Sequence, residues 1–306
     1  MSIRNFHWDD LPALVNLDNH LRRAQGDSST INEAFLKEYL GQPNLSPEED
    51  CFLYTSKGEI NGYALVCPEP TTQRSVLDLK VHPNHSGEEV KRALIRAALR
   101  RARDLPALVL HFQPSDEAAW SPLLKAEGFS PVRVYWNMQW DLATLPSLKL
   151  PQGFYIRTYG QPDDAEILTR IQNAAFGGSW GFSPNTAQEI DYRAGMSITS
   201  HKGIIFLCHD HRIAGYCWTF ILPRKGSTVG IISMIGIDPD FRQQRLGKPL
   251  LYAGLEYLTN QGISHVGLEV DGQNGRAISL YHSVGFYKVA ELQWFEASLE
   301  SSSPGA

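Results

Sequence analysis

The amino-acid sequence predicts an α/β protein made of two copies of one unit, each a mixed, mostly antiparallel central sheet flanked by helices. Three observations carry this reading. Apolar runs of strand length alternate with amphipathic stretches of helical period, and they come in the same order in both halves of the chain. Landmarks of the first half return in the second at an offset of roughly 155 residues, the period of a duplicated domain rather than of a solenoid. Between the halves, residues 142–153 (LATLPSLKLPQG) hold two prolines and read as a linker.

The elements follow in order. Residues 3–6 (IRNF) form a short strand, and Asp9 and Asp10 stand where they can cap a helix running to about Arg23. Residues 151–176 repeat this with GFYIRTY, then Gln161, Pro162, Asp163 and Asp164, then the amphipathic AEILTRIQNAAF. Two strands around a turn come next, residues 51–55 with GYALV (62–66), matched by residues 204–208 with GYCWT (215–219). LKVHP (79–83) matches IGIDP (235–239), and a helix follows each. LVLHF (108–112) and VGLEV (266–270) read as buried strands after those helices. LLKAEGF (123–129) and LYHSVGF (280–286) begin the closing helix-to-strand turn, and each half ends in an aromatic-rich strand, VRVYWNMQW or VAELQWFEA. The expected domains are 1–145 and 146–299, followed by a polar tail, 300–306 (ESSSPGA), expected to be disordered.

With 306 residues, 42% hydrophobic and 20% charged, the chain can bury two full cores. A net charge of -5 gives no bulk attraction to nucleic acid or to an anionic membrane, so neither is an expected partner. The N-terminus, MSIRNFHWDDLPAL, lacks the apolar core of a signal peptide, and no apolar run reaches membrane-spanning length, so a cytoplasmic protein is expected. Cys51, Cys67, Cys208 and Cys217 have no CxxC spacing. Reduced thiols are expected, and no metal site is indicated.

The chemistry concentrates at residues 241–250, FRQQRLGKPL. An apolar strand-like run ends at Asp238 and Pro239 before it, and Leu246, Leu250, Leu251, Leu255 and Leu258 after it fall at helical spacing. The first N–H groups of such a helix have no partner within it, and the helix dipole adds positive charge. With Arg242, Arg245 and Lys248, the turn reads as a phosphate site; a solvated basic helix end is the plainer alternative.

Two motifs in order extend the reading. IDPDFRQQRLGKPLL resembles the coenzyme-binding consensus Q/RxxGxG/A of the GNAT superfamily of acetyl-coenzyme A-dependent N-acyltransferases, and NGRAISLYHSVGF (274–286) resembles its second signature, NxxAxxLYxxxGF. The C-terminal half is similar to that family over its whole length. The tandem arrangement, with GYCWT and AGLEYL, resembles the two-domain branch that includes mycothiol synthase.

The resemblance implies two tandem GNAT domains and acetyl-CoA as acyl donor. It implies direct transfer of an acetyl or short acyl group to a primary amine of a small molecule. It places Ile235, Gly236 and Ile237 on a splayed strand whose backbone holds the pantetheine arm and acetyl carbonyl, with Gly236 suited to a bulge. Around the pyrophosphate it places Arg242, Gln243, Gln244, Arg245, Leu246, Gly247 and Lys248, Gly247 letting backbone approach the phosphates. Asn274 and Ala277 complete the coenzyme site, with a helix N-cap as a second role for Asn274. Pro249 departs from the family's Gly or Ala and removes one N–H donor.

Tyr281 stands at the position of the family's general acid, and a core tyrosine is its plain alternative. The family's basic glutamate is replaced by Ile231, which leaves Glu269 on the neighbouring strand, Ser233, or no side chain at all as the base. Trp180, Phe182, Phe220 and Ile231 are the expected substrate pocket. Phe220, where mycothiol synthase has a lysine, argues for an acceptor other than the mycothiol precursor, and the segment Phe176 to Phe182, with Trp180 and Phe182, suggests one of more apolar or aromatic character, a core-capping loop being its plain alternative.

In the first half the turn reads PNHSGEEVKRAL (83–94), with Glu88 and Glu89 where phosphate would bind and Leu124 in place of Tyr281. That half is expected to keep the fold without binding coenzyme. A non-catalytic acyl-CoA-binding or scaffold protein and a protein N-terminal or lysine acetyltransferase are the other open readings, for a monomer or a homodimer.

Overall fold

The computed structural model describes residues 2–85, 87–141, 145, 147–224 and 227–300. Part of the linker reading (142–144 and 146) and most of the tail reading (301–306) lie outside the described residues.

The elements are β1 (Ser2–Asn5), α1 (Leu11–Ala24), α2 (Glu33–Leu40), the single turn α3 (Pro47–Asp50), β2 (Cys51–Ser56), β3 (Glu59–Glu69), β4 (Arg74–Val81), α4 (Glu88–Asp104), β5 (Val109–Phe112), α5 (Glu117–Ala126) and β6 (Phe129–Asp141). There follow β7 (Phe154–Thr158), α6 (Asp164–Phe176), α7 (Ala187–Gly195), β8 (Thr199–His209), β9 (Arg212–Arg224), β10 (Ser227–Ile237), α8 (Gly247–Asn260), β11 (His265–Asp271), α9 (Gly275–Val284) and β12 (Tyr287–Ser298). The second series repeats the first, as the sequence landmarks require.

The chain divides into two compact units, but not at the linker. The first takes the described residues up to Val134 and from Leu292 on; the second is Tyr135–Glu291. The end of β12 therefore belongs to the first unit, where Phe295 to Ser298 pair antiparallel with β5. The later part of β6 belongs to the second, where Tyr135 to Asp141 pair antiparallel with β11. In each unit the other neighbours follow as β1-β2-β3-β4-β5 and β11-β10-β9-β8-β7. Within each unit one pair runs parallel among these described strands, β4 with β5 and β10 with β11.

Period-two alternation puts a core on each face of each sheet. On β8, Ile205 and Leu207 face α8, while Ile204, Phe206 and Cys208 face α6 and α7. The repeated GY glycines serve these cores alike. A Cβ on Gly62 would lie 3.2 Å from Leu94 of α4, and one on Gly215 would lie 3.2 Å from Leu250 of α8, so each glycine lets its helix settle on the sheet.

The acidic residues at the helix starts differ from expectation in a way that also repeats. Neither Asp10 nor Asp163 caps its helix through its side chain. Asp10 instead takes a two-pronged pair from Arg4 and the His7 N–H, and Asp164 takes one from Arg157 together with the N–H groups of Gly160 and Gln161. Each carboxylate thus ties the first helix to the first strand, where charge-assisted bonds are stronger than a neutral cap.

All four cysteines are free thiols. No helix among the described residues is long and apolar enough to cross a membrane.

Candidate active site

The site begins as a fork between two strands. β10 pairs with β9 from Ser227 to Ile237, yet with β11 only at Gly230↔Val266 and Ile231↔Gly267. Beyond Ile231 the strands have no further rungs among the described residues, so backbone groups on both sides are open to a ligand. The cause is a bulge, because the register of β10 on β9 shifts between Ile232 and Met234. Ser233, not Gly236, is the extra residue. Gly236 stays in register opposite Tyr216 and is small for another reason. A Cβ there would stand 3.0 Å from the Ala175 Cβ and 3.0 Å from the Tyr216 ring, so the glycine admits α6.

The bulge also resets the faces. Ile232, Ile235 and Ile237 pack toward α8, while Met234 packs toward α6 and Ser233 is exposed beside it.

On the α8 side the loop from Arg242 to Leu246 takes an unusual path. Gln243 and Arg245 have φ of 67° and 58°, left-handed backbone that costs a non-glycine residue about 1 kcal/mol or more. Arg245 is followed by Leu246 in right-handed conformation, and such an alternation turns successive N–H groups into one concavity, an anion nest. Leu246, buried, anchors the loop in the core. None of the six backbone N–H groups from Gln243 to Lys248 has a partner among the described residues; the first to bond is Leu250, to the Leu246 carbonyl at 3.2 Å. Pro249, third in α8, contributes no donor.

Charge reinforces the nest. Arg242 donates to the Ala175 carbonyl at 2.8 Å and Lys248 to the Ser283 carbonyl at 3.0 Å, neutral acceptors that leave both positive charges intact. Arg245 is exposed, and none of the three cations has a carboxylate partner among the described residues. The donor set and its charge fit a pyrophosphate. Gly247 has a different neighbour from the one expected, since a Cβ there would point at Leu280 of α9, 3.0 Å away. It lets α8 and α9 close on each other.

Tyr281 of α9 stands in the same core. Its ring is buried and lies 5.8 Å from Phe286, yet its hydroxyl bonds no described residue. Burial, with a smaller contribution from Cys217, pushes its pKa far up, so the phenol keeps its proton at any physiological pH. Asn274 caps α9, accepting the Ala277 N–H at 3.1 Å, and Ala277 packs against the core.

The opposite face carries different chemistry. Leu268 and Val270 of β11 point to the α8 core, which sends Gly267, Glu269 and Asp271 to the other side. Glu269 lies two residues past the last rung, at the mouth of the fork. Its side chain reaches solvent, while desolvation by the protein around it raises its pKa, the combination expected in a cleft. Ile231 forms the last rung, with Phe220 directly across on β9, so these two side chains share that face. Phe182 stacks on Phe176 at 5.5 Å, and Phe176 in turn lies against Gly236.

Residues absent from the sequence reading complete this face. Asn137 pairs with Glu269, and Tyr135 with Asp271, both from β6. The Tyr135 hydroxyl donates to the Trp180 carbonyl at 3.1 Å, and the rings lie 5.9 Å apart. β6 sits in the first sequence half, and only its pairing with β11 brings it here.

Residues 165–286 match the family model described as Acetyltransferase (GNAT) family. The mycothiol acetyltransferase of Nocardia farcinica is 31% identical over 275 residues, covering 86% of this chain and 86% of the relative. That of Pseudarthrobacter chlorophenolicus is 30% identical over 246 residues, covering 79% and 75%. Two solved structures share the fold. A GCN5-related N-acetyltransferase from Sphaerobacter thermophilus superposes with a TM-score of 0.73 at 20% identity, over 100% of this chain and 96% of that one. A tandem GNAT protein from the clavulanic acid biosynthesis pathway gives 0.72 at 17% identity, over 99% of both chains.

Proposed function

The chain belongs to the GNAT family of acetyltransferases, and from that premise we propose that its second unit moves an acetyl or short acyl group from acetyl-CoA directly to a primary amine of a small molecule. The observation that carries this reading is the run of N–H groups from Gln243 to Lys248 without a hydrogen-bonding partner among the described residues, beside three cations without a carboxylate partner among them, at the foot of the forked strands β10 and β11.

Acetyl-CoA supplies an activated acetyl thioester. The loop from Arg242 to Lys248 holds the pyrophosphate, and the open backbone groups of Ile235 and Ile237 line the fork beyond it, on either side of Gly236, whose own groups face β9. Tyr281 keeps a proton on its unpartnered hydroxyl for the departing thiol. Glu269, on the other face of β11, takes a proton from the incoming amine. Its raised pKa brings it closer to a working base near neutral pH than an ordinary carboxylate. Acid and base stand on opposite faces because alternation along β11 sends Glu269 away from the core that holds Tyr281.

The acceptor side is lined by Phe220, Ile231, Trp180 and Tyr135, which favours an amine with an apolar or aromatic body. Ile231, at the last rung, carries no ionisable group and serves as a wall of that pocket rather than as a base.

The test is thiol release from acetyl-CoA with a panel of aliphatic, aromatic and polar amines and short peptides, run beside calorimetry with coenzyme alone. Release matched by acetylated small amine is expected, with apolar amines the better substrates. Tight coenzyme binding with no release from any amine would leave an acyl-CoA-binding protein instead. Release with peptides alone would move the acceptor to proteins.

A further inference from the structure

The first unit holds a cavity of about 270 Å³ between α1 and α2 on one side and β2, β3 and β4 on the other. Its apolar wall includes Leu14, Phe35, Leu36 and Leu65, and its polar end holds Asp18, Arg22, Lys80, Tyr39, Tyr63 and Asp78. The volume is near the small end of ligand pockets, about 300 Å³.

The charges in that end are unequally matched. Asp18 is held on both oxygens, by Lys80 at 2.6 Å and by Arg22 at 2.7 Å, and Arg22 also reaches Ser29 at 3.2 Å and Asp27 at 3.5 Å. Both cations are therefore spent. Asp78 has no cationic partner among the described residues. The Tyr63 hydroxyl at 2.9 Å and the Tyr39 hydroxyl at 3.4 Å both donate to its Oδ2, and its Oδ1 accepts no hydrogen bond from a described residue. The negative charge of Asp78 pushes the Tyr39 pKa up, and burial does the same to Tyr63, so both phenols stay donors.

The second unit supplies an internal control. By the repeat, Asp78 corresponds to Met234 and Tyr63 to Tyr216. There the Gln172 amide lies 3.0 Å from the Met234 sulfur and the Tyr216 hydroxyl 3.9 Å from it, so the position is occupied by a thioether and its neighbours. The carboxylate is peculiar to the first unit.

We propose that this cavity is a second ligand site, one that binds a small organic ammonium ion, with its cation on the free Oδ1 of Asp78 and its apolar body among Leu14, Phe35 and Leu36. An anion would have to break the pairs that hold Lys80 and Arg22, and a purely apolar molecule would leave Asp78 uncompensated. The site is independent of the transfer reaction assigned to the second unit.

Calorimetric titration of the full chain with hexylamine, hexanol and hexanoate tests it, without coenzyme present. Hexylamine is expected to bind at least tenfold more tightly than the other two. Asp78→Asn should weaken it by at least tenfold and Leu36→Trp, which fills the cavity while leaving the carboxylate, should remove it. The proposal is overturned if hexanoate matches hexylamine, if none of the three binds at millimolar concentration, or if a folded variant of either first-unit position binds as the parent does. Thiol release with acetyl-CoA reports separately on the second unit, so either reading can fail alone.

Discussion

The turn from β4 into α4 and the turn from β10 into α8 are the same piece of architecture put to opposite electrostatic use. In both, a strand ends at a proline and a helix follows that packs on the sheet beneath a GY glycine. In both, a lysine within the first four helical residues reaches a carbonyl of the next helix, Lys91 to Ala119 at 3.2 Å and Lys248 to Ser283 at 3.0 Å. At the first turn, Glu88 and Glu89 occupy the start of α4, and Glu88 with the buried Glu127 engages Arg92, while Arg96 also binds Glu127. Lys91 keeps its charge there as Lys248 does, but Arg92 is taken up by carboxylates, and no described residue of that loop is left-handed. At the second turn the loop accepts two left-handed residues, keeps three cations without carboxylates, and leaves its N–H groups open. The phosphate binding proposed for the second turn thus rests on the loop's charge and backbone hand, laid over a scaffold that both units share.

The largest effect expected from breaking that contrast is at Gly247. Gly247→Glu forces a Cβ against Leu280 and adds a carboxylate to the nest, and acetyl-CoA affinity by calorimetry should fall by roughly 1,000-fold, about 4 kcal/mol. Glu88→Gln in the first unit should leave it unchanged; a loss there would mean that the coenzyme has been assigned to the wrong turn. Next comes the base. Activity should rise with pH as Glu269 deprotonates, at a pH above the ordinary glutamate value of about 4.3, because desolvation raises its pKa. Glu269→Gln should cost roughly 100-fold in kcat and flatten that limb. An unchanged pH profile would remove Glu269 from the reaction.

Tyr281 is the point at which the first unit offers only Leu124, buried in its core. Tyr281→Phe should lower kcat by roughly 30-fold with little change in coenzyme affinity; an equal loss of affinity would mark the residue as a packing element instead. The smallest effect sharpens the comparison most. Arg245→Gly relieves a left-handed non-glycine residue and removes a cation, so thermal melting should show about 1 kcal/mol more stability while coenzyme affinity drops roughly threefold. Arg245→Ala should lower the affinity without the gain in stability.

Much of this was legible in the residues. Periodicity and the repeat yielded the element order of both halves, though not where the compact units divide, since apolar spacing reports on which face is buried and not on long-range pairing. The turn at Arg242 to Lys248 was legible because charge and glycine are written in the sequence. Its left-handed path was not, because Gln243 and Arg245 are residue types that seldom adopt it. The bulge was expected at Gly236, where a glycine permits one, and formed at Ser233, because Gly236 is held in register by the close approach of Ala175 and Phe176. Tyr135 and Asn137 were invisible for a different reason. Their place beside Glu269 depends on a long-range pairing that local pattern does not encode.

The exchange of strand ends between the halves has a consequence for biosynthesis. A ribosome delivers the chain from its N-terminus, and domains ordinarily fold in that order as they emerge. Here the sheet of the first unit lacks its β5 partner until Phe295 to Ser298 have been made, after the whole of the second unit. The second unit, by contrast, has its borrowed strand, Tyr135 to Asp141, waiting before any of its own elements appear. The unit that begins first is therefore the one completed last, and a nascent chain cut short before residue 295 leaves the edge of β5 bare and open to pairing with a neighbouring chain.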